Sequence, residues 1–135
     1  MADKTFHVKL ITPETRLLDA EVTYASVPMW DGQRGEMHRS AALVGKLGPG
    51  VLRLDMPGGG GSKSFFVEGG FMQNVGDELT ILAEAATPVE KLDASEIKAA
   101  LAEANARKPQ SPEENDSLNA ERDRLRRKLT AASAR

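Results

Sequence analysis

A chain of 135 residues has room for one ordinary domain, or a small domain with an appendage, since domains usually run to about 100–150 residues. Its 18 Lys and Arg against 20 Asp and Glu leave a net charge of -2, which provides no basic field to hold a nucleic acid by counterion release, so no nucleic-acid partner is expected. The absence of cysteine excludes disulfide scaffolds, thiolate metal sites and thiol nucleophiles together.

The N-terminal segment, Met1 to Phe6, lacks the apolar core of a signal peptide. No stretch of about 18 apolar residues occurs, so no direct membrane insertion is expected. In chain order, Phe6, Val8 and Leu10 alternate with His7, Lys9 and Ile11, predicting a strand that Thr12-Pro13-Glu14-Thr15 turns. Arg16 to Val27 reads as two short strands, and Pro28 to Gly35 as an irregular loop. Further strands are predicted at 41–47, 51–55, 64–68, 71–75 and 79–83, each bounded by Gly, Pro or Asn-Asp chemistry. Seven or eight short strands at roughly 8–12-residue spacing, with no crossover helix between them, predict an antiparallel sandwich or barrel and exclude a parallel sheet.

The composition changes near Thr87-Pro88. All 12 glycines lie between Gly32 and Gly76, and every aromatic residue lies at or before Phe71. The stretch beyond Pro88 is rich in Ala, Glu, Lys, Arg and Leu, which are helix formers. Asp93 caps a predicted helix whose Ile97, Ala100, Leu101 and Ala104 share a face. Ser111-Pro112-Glu113-Glu114 opens a second, with Leu118, Leu125, Leu129 and Ala132 as its stripe. The fold class is therefore α+β: an N-terminal antiparallel β-sandwich over residues 1–87, then an antiparallel two-helix hairpin over 88–135. The sandwich portion is mildly acidic and the tail mildly basic.

Candidate chemistry is sparse. Gly58 to Ser64 has the glycine content of a phosphate loop, but Ser62 replaces the glycine before Lys63 and the next residues read as a strand rather than a helix N-terminus, so a flexible hairpin loop is the better reading. His7 and His38 are the only histidines, too few for a zinc site and best read as exposed positions. Glu36 reads by itself as a solvated loop charge. The run Glu121 to Lys128 holds five bases and two acids; it suits a solvated helix face or docking on an acidic surface. No catalytic, cofactor-binding or metal-binding constellation can be named, so no cofactor and no enzymatic activity are expected. The competing class is a stand-alone β-sandwich interaction module with a helical dimerisation tail.

The order of several short segments resembles the epsilon subunit of F-type ATP synthases. They are Leu10-Ile-Thr-Pro-Glu14, Asp19-Ala-Glu-Val22, Val27-Pro28, Gly35-Glu-Met37, Leu47-Gly-Pro-Gly-Val-Leu-Arg53, Phe66-Val-Glu-Gly-Gly-Phe71, and Val75 followed by Leu79 to Ala86. The resemblance covers residues 5–105 and implies a β-sandwich with a helical hairpin behind it. It implies a non-catalytic subunit of the central stalk, set against the gamma subunit and the polar loops of the membrane rotor ring. Its location would be peripheral, on the cytoplasmic face of the inner membrane.

The resemblance also implies site residues. Glu36, with Asp31, Arg34, Met37 and His38 beside it, corresponds to the ring-facing loop. The basic residues Arg122, Arg124, Arg126, Arg127 and Lys128 correspond to the tail feature that reaches acidic segments of the catalytic beta subunits and restrains ATP hydrolysis. Two departures stand out. After Met37 the segment aligns as about three residues shorter than the family pattern, with Ser40 where a histidine is usual. Leu92-Asp93-Ala94-Ser95 matches the start of the family's nucleotide-sensing motif, but Glu96 and Ile97 replace its Arg-Ala. An acid facing a triphosphate is repulsive, so ATP binding through that motif is not expected.

Overall fold

The computed structural model describes residues 4–133. Met1–Asp3, on which part of the N-terminal reading falls, and the last two residues lie outside the described residues. Eight strands come first: β1 (Phe6–Ile11), β2 (Arg16–Val22), β3 (Tyr24–Met29), β4 (Gly32–Met37), β5 (Leu43–Lys46), β6 (Gly50–Asp55), β7 (Ser62–Val75) and β8 (Glu78–Pro88). A 3-10 turn (Val89–Lys91) leads to helices α1 (Ala94–Ala106) and α2 (Pro112–Ser133). The chain divides into two compact units, one ending at Pro88 and the other starting at Val89.

In the first unit the strands hydrogen-bond in the order β2-β1-β8-β7-β6-β3-β4, with β5 added to β7. Period-two alternation does the folding. Phe6, Val8 and Leu10 of β1, Leu79, Ile81 and Ala83 of β8, and Leu52 and Leu54 of β6 point into one core shared with Val22, Ala25 and Val27. Strands far apart in the ladder thus bury the same apolar side chains, which is what folds the antiparallel sheet over into a sandwich.

The sheet is mostly antiparallel, as expected, but one pair is parallel: β1 runs parallel to β8, His7 opposite Glu78 through Ile11 opposite Leu82. Strands β2 to β7 make up the connection between the two, so no crossover helix is needed. The supposed irregular loop from Pro28 to Gly35 is a β-hairpin, with Met29 paired to Gly32 around the two-residue turn Trp30-Asp31. Gly32 supplies the φ of 132° that lets the chain re-enter β4. The strands expected at 64–68 and 71–75 are one strand, β7, 14 residues long. Gly69 and Gly70 punctuate it with φ of 75° and 111° without breaking its register with β8.

The second unit obeys its local signals closely. The Asp93 side chain accepts hydrogen bonds from the N–H groups of Ser95 (2.9 Å) and Glu96 (3.3 Å), capping α1. Ser111 Oγ accepts from Glu114 N–H at 3.1 Å, while the Glu114 carboxylate accepts from Gln110 N–H at 2.9 Å. This reciprocal arrangement fixes the start of α2. The helices pack against each other, with Ile97 and Ala104 of α1 and Leu118 and Leu125 of α2 buried. Leu101 and Leu129 stay half-buried, so the apolar seam is thin.

Candidate functional site

The residues expected to face a partner from the first unit lie along the β3–β4 hairpin. β4 ends the ladder, so one edge is unpaired and the strand presents most of its side chains outward. At the tip, Trp30 is 70% exposed, with Asp31 and Gln33 exposed beside it. At the far end of the strand Met37 is exposed at 58%. A six-residue strand is roughly 20 Å long, so Asp31 on one side and Met37 and His38 on the other cannot form a single point contact. They mark the two ends of one edge.

Glu36 corrects the reading of a solvated charge. Its side chain is fully buried, pointing inward because it alternates with Gly35 and Met37 on β4. Arg34 Nε donates to Glu36 Oε1 at 2.7 Å, and the buried Asn74 of β7 donates through Nδ2 to Oε2 at 2.9 Å. Both carboxylate oxygens are therefore occupied, which is the condition for keeping a charge inside. The link joins β4 to β7, strands that are not neighbours in the ladder. Gly35 is equally constrained: the Tyr24 hydroxyl would lie 2.6 Å from a Cβ there, so the aromatic ring packs over the glycine.

Beyond Met37 the chain turns tightly. Met37 N–H donates to Ser40 Oγ at 2.9 Å, and Ser40 N–H returns to the Met37 carbonyl at 3.1 Å. Arg39, at φ 66°, donates its N–H to Asp77 Oδ1 at 2.7 Å, and His38 Nδ1 lies 3.1 Å from the other Asp77 oxygen without hydrogen-bond alignment. Asp77, in the β7–β8 turn, is thus a tether for the β4–β5 connection. Trp30, Asn74 and Asp77 were not legible as site residues. Asn74 lies 38 residues from Glu36, and only the asparagine-glycine-aspartate content of residues 74–77 hinted at a turn.

His7 is not a bystander. On β1 it faces β2, with Nε2 against Asp19 and Nδ1 3.0 Å from Glu21 Oε1. Its pKa is raised, first by the hydrogen bond to Glu21 and further by Asp19, against the opposing effect of burial. Among the described residues no cluster of His, Asp or Glu could hold a metal ion. The Gly58–Gly61 segment closes the β6–β7 hairpin, Met56 N–H bonding to the Gly61 carbonyl at 2.8 Å. It leads into the strand β7 and not into the helix N-terminus of a phosphate loop.

In the second unit the five basic residues separate by environment. Arg126 and Arg127 are exposed, Arg127 pairing with Asp123 at 3.0 Å, whereas Arg122, Arg124 and Lys128 are half-buried. Glu96 is exposed and Ile97 buried, so the position of the family alanine serves packing. No described helix is long and apolar enough to cross a membrane.

Residues 5–89 match the family model described as ATP synthase, Delta/Epsilon chain, beta-sandwich domain. The chain belongs to the ATP synthase epsilon chain family. It is 37% identical to the ATP synthase epsilon chain of Rhodopirellula baltica over 91% of its own length and 94% of that protein. It is 31% identical to that of Myxococcus xanthus over 94% and 92%. As an epsilon chain it is a non-catalytic subunit of the F-type ATP synthase. Its fold matches a chain of the Euglena gracilis mitochondrial ATP synthase OSCP/F1/c-ring structure at a TM-score of 0.81 and 24% identity, covering 100% of this chain and 84% of that one. It also matches a chain of the Tetrahymena thermophila mitochondrial ATP synthase central stalk and c-ring at 0.72 and 15% identity, covering 98% and 99%.

Proposed function

We propose that this epsilon chain works in the central stalk, against the gamma subunit, and couples the catalytic head to the membrane rotor ring during proton-driven ATP synthesis. In this reading it is peripheral, on the cytoplasmic face of the inner membrane. The β3–β4 edge meets the polar loops of the ring through Trp30, Asp31, Arg34, Met37 and His38, and Glu36 holds that edge from inside. The observation that carries the reading is the Arg34–Glu36–Asn74 brace. An element that transmits torque must resist bending, and a satisfied buried polar network fixes the strand that carries the contact.

Crosslinking tests the contact, helped by the absence of native cysteine. Because Glu36 is interior, the probe belongs at the exposed tip. D31C is expected to crosslink to a cysteine in the polar loop of the ring subunit, and K63C, in the β6–β7 hairpin, much less. Equal yields at the two positions would reject the assigned edge. The tail bases Arg122, Arg124, Arg126, Arg127 and Lys128 constitute, in the same reading, a brake on hydrolysis that acts on acidic segments of the catalytic beta subunits.

A further inference from the structure

The two ring nitrogens of His7 each face a carboxylate of β2. Nε2 lies against Asp19, and Nδ1 is 3.0 Å from Glu21 Oε1. Two positions apart on one strand, these acids stand on the same face and bracket the ring. A neutral imidazole carries one N–H and one lone pair, whereas the imidazolium donates from both nitrogens. Both contacts are therefore favourable together only when the ring is charged; in the neutral ring one carboxylate meets a lone pair. The pKa of His7 is raised, first by the hydrogen bond to Glu21 and further by Asp19, in keeping with this geometry.

The neighbouring charges leave the cross-strand tie to His7. Lys9, opposite Asp19 in the register, pairs instead with Glu78 of β8 at 3.0 Å. Arg16 donates to Asp19 at 2.9 Å, but both belong to β2, so that bond does not cross to β1. His7 is itself fixed in the body of the sheet: its N–H donates to the Asp77 carbonyl at 2.9 Å, and β1 pairs with β8 on that side. β2 lacks such support, because it ends the ladder and β1 is its one neighbour among the described strands. A strand held on one side opens locally at a lower free energy than one held on both.

We propose that His7 is a proton-operated clip on the edge strand β2: the charged ring ties both carboxylates of β2 to β1, and loss of its proton releases one of them and loosens that edge. The grip is full where the ring is protonated and Asp19 and Glu21 are ionised, and it weakens as pH rises through the titration of His7. Leu18 and Val22 of β2 are packed in the core, so the response is fraying of one edge rather than loss of the fold. The clip belongs to the chain itself and needs no partner subunit.

Amide exchange of the full-length chain, followed by NMR at pH 6 and pH 9 and divided by the rates of an unstructured peptide, tests the clip. Protection along β2 is expected to fall at least about threefold between the two, while β4, the edge at the other end of the ladder, holds constant. At pH 6 both ring nitrogens of His7 should show the shifts of a protonated imidazole. H7N should give the looser β2 at both pH values, E21Q a smaller step than the wild type, and raised salt should shrink the wild-type step, since the pairs are partly exposed. A β2 protection that changes no more than that of β4, or a step that survives in H7N, would overturn the proposal. Should H7N fail to fold by circular dichroism, E21Q and D19N decide: a reduced step in either supports the clip, and an undiminished step in both rejects it.

Discussion

Glu36 is tolerated in an apolar interior because each of its oxygens has a donor, and the two donors differ in kind. Asn74 is itself buried, whereas the Arg34 side chain is 43% exposed. Removing Arg34 leaves a buried carboxylate short of its counter-charge, and R34A is expected to cost about 3 kcal/mol. Replacing both interior partners with apolar groups, as in E36L/N74V, removes the charge and its need together and should cost less than R34A. Urea denaturation of the three chains gives the ranking; R34A at or above the stability of the double variant would reject the account. His7 makes a different prediction. Its pKa is raised above the ordinary value of about 6.5, so the protonated ring binds its carboxylates more tightly in the folded state. The stabilisation is fully present below about pH 6.5, provided Asp19 and Glu21 stay ionised, and is lost as pH rises through the folded pKa. The melting temperature gap between wild type and H7N should therefore be wider at pH 6 than at pH 9. A gap independent of pH would remove His7 from the ion-pair cluster.

At the scale of elements, β7 bears the most constraint. It pairs with β6 through its first half, with β5 through its second, and with β8 along most of its length. Gly70 makes this possible: a Cβ there would fall on the Leu82 carbonyl oxygen and close to the Ala83 backbone, at a φ that side chains rarely adopt. G70A is expected to cost at least about 2 kcal/mol, from backbone strain and collision together. Gly59 shares a positive φ of 73° but has open space around it, so G59A should cost only about 1 kcal/mol. Thermal melts of the two single variants distinguish them, and equal losses would mean that the collision at Gly70 is relieved elsewhere. The hairpin tip obeys a different logic, since Trp30 is held by its backbone, donating N–H to the Lys46 carbonyl at 3.0 Å, while its ring stays exposed.

For the whole molecule, the separation between Pro88 and Val89 implies that the sandwich carries its own core. A chain ending at Pro88 is expected to melt cooperatively, as measured by circular dichroism; a gradual transition would mean that the sandwich needs the tail. The tail's proposed role belongs to the assembled synthase. Truncation after Arg107, or reversal of Arg124, Arg126, Arg127 and Lys128 to glutamate, should raise ATP hydrolysis by similar factors, and the wild-type restraint should weaken as salt rises. Three equal rates would reject an electrostatic brake while leaving the coupling role of the sandwich intact.

What the sequence determined by itself was local and periodic. Alternation announced β1 and the inward set Phe6, Val8 and Leu10; Asp93 and Ser111 announced the helix starts; the ordered short segments announced the family. These signals are legible because hydrogen bonds within a helix turn, and the alternation of a strand, act between residues a few positions apart. Tertiary structure alone decided the rest. The β1–β8 pairing joins strands about 70 residues apart, β7 runs unbroken through its glycine pair, and the Trp30-Asp31 turn took a hairpin form that its composition did not favour. Glu36 gave the plainest case: a carboxylate beside a glycine reads as solvated until Asn74, 38 residues away, arrives to satisfy it. Arg122 belonged by sequence with the other bases of α2, and only the approach of α1 gave it the Ala104 and Arg107 carbonyls to hold. A partner supplied from a distant segment leaves no local pattern, so the fate of a charged group is settled when the chain has folded around it.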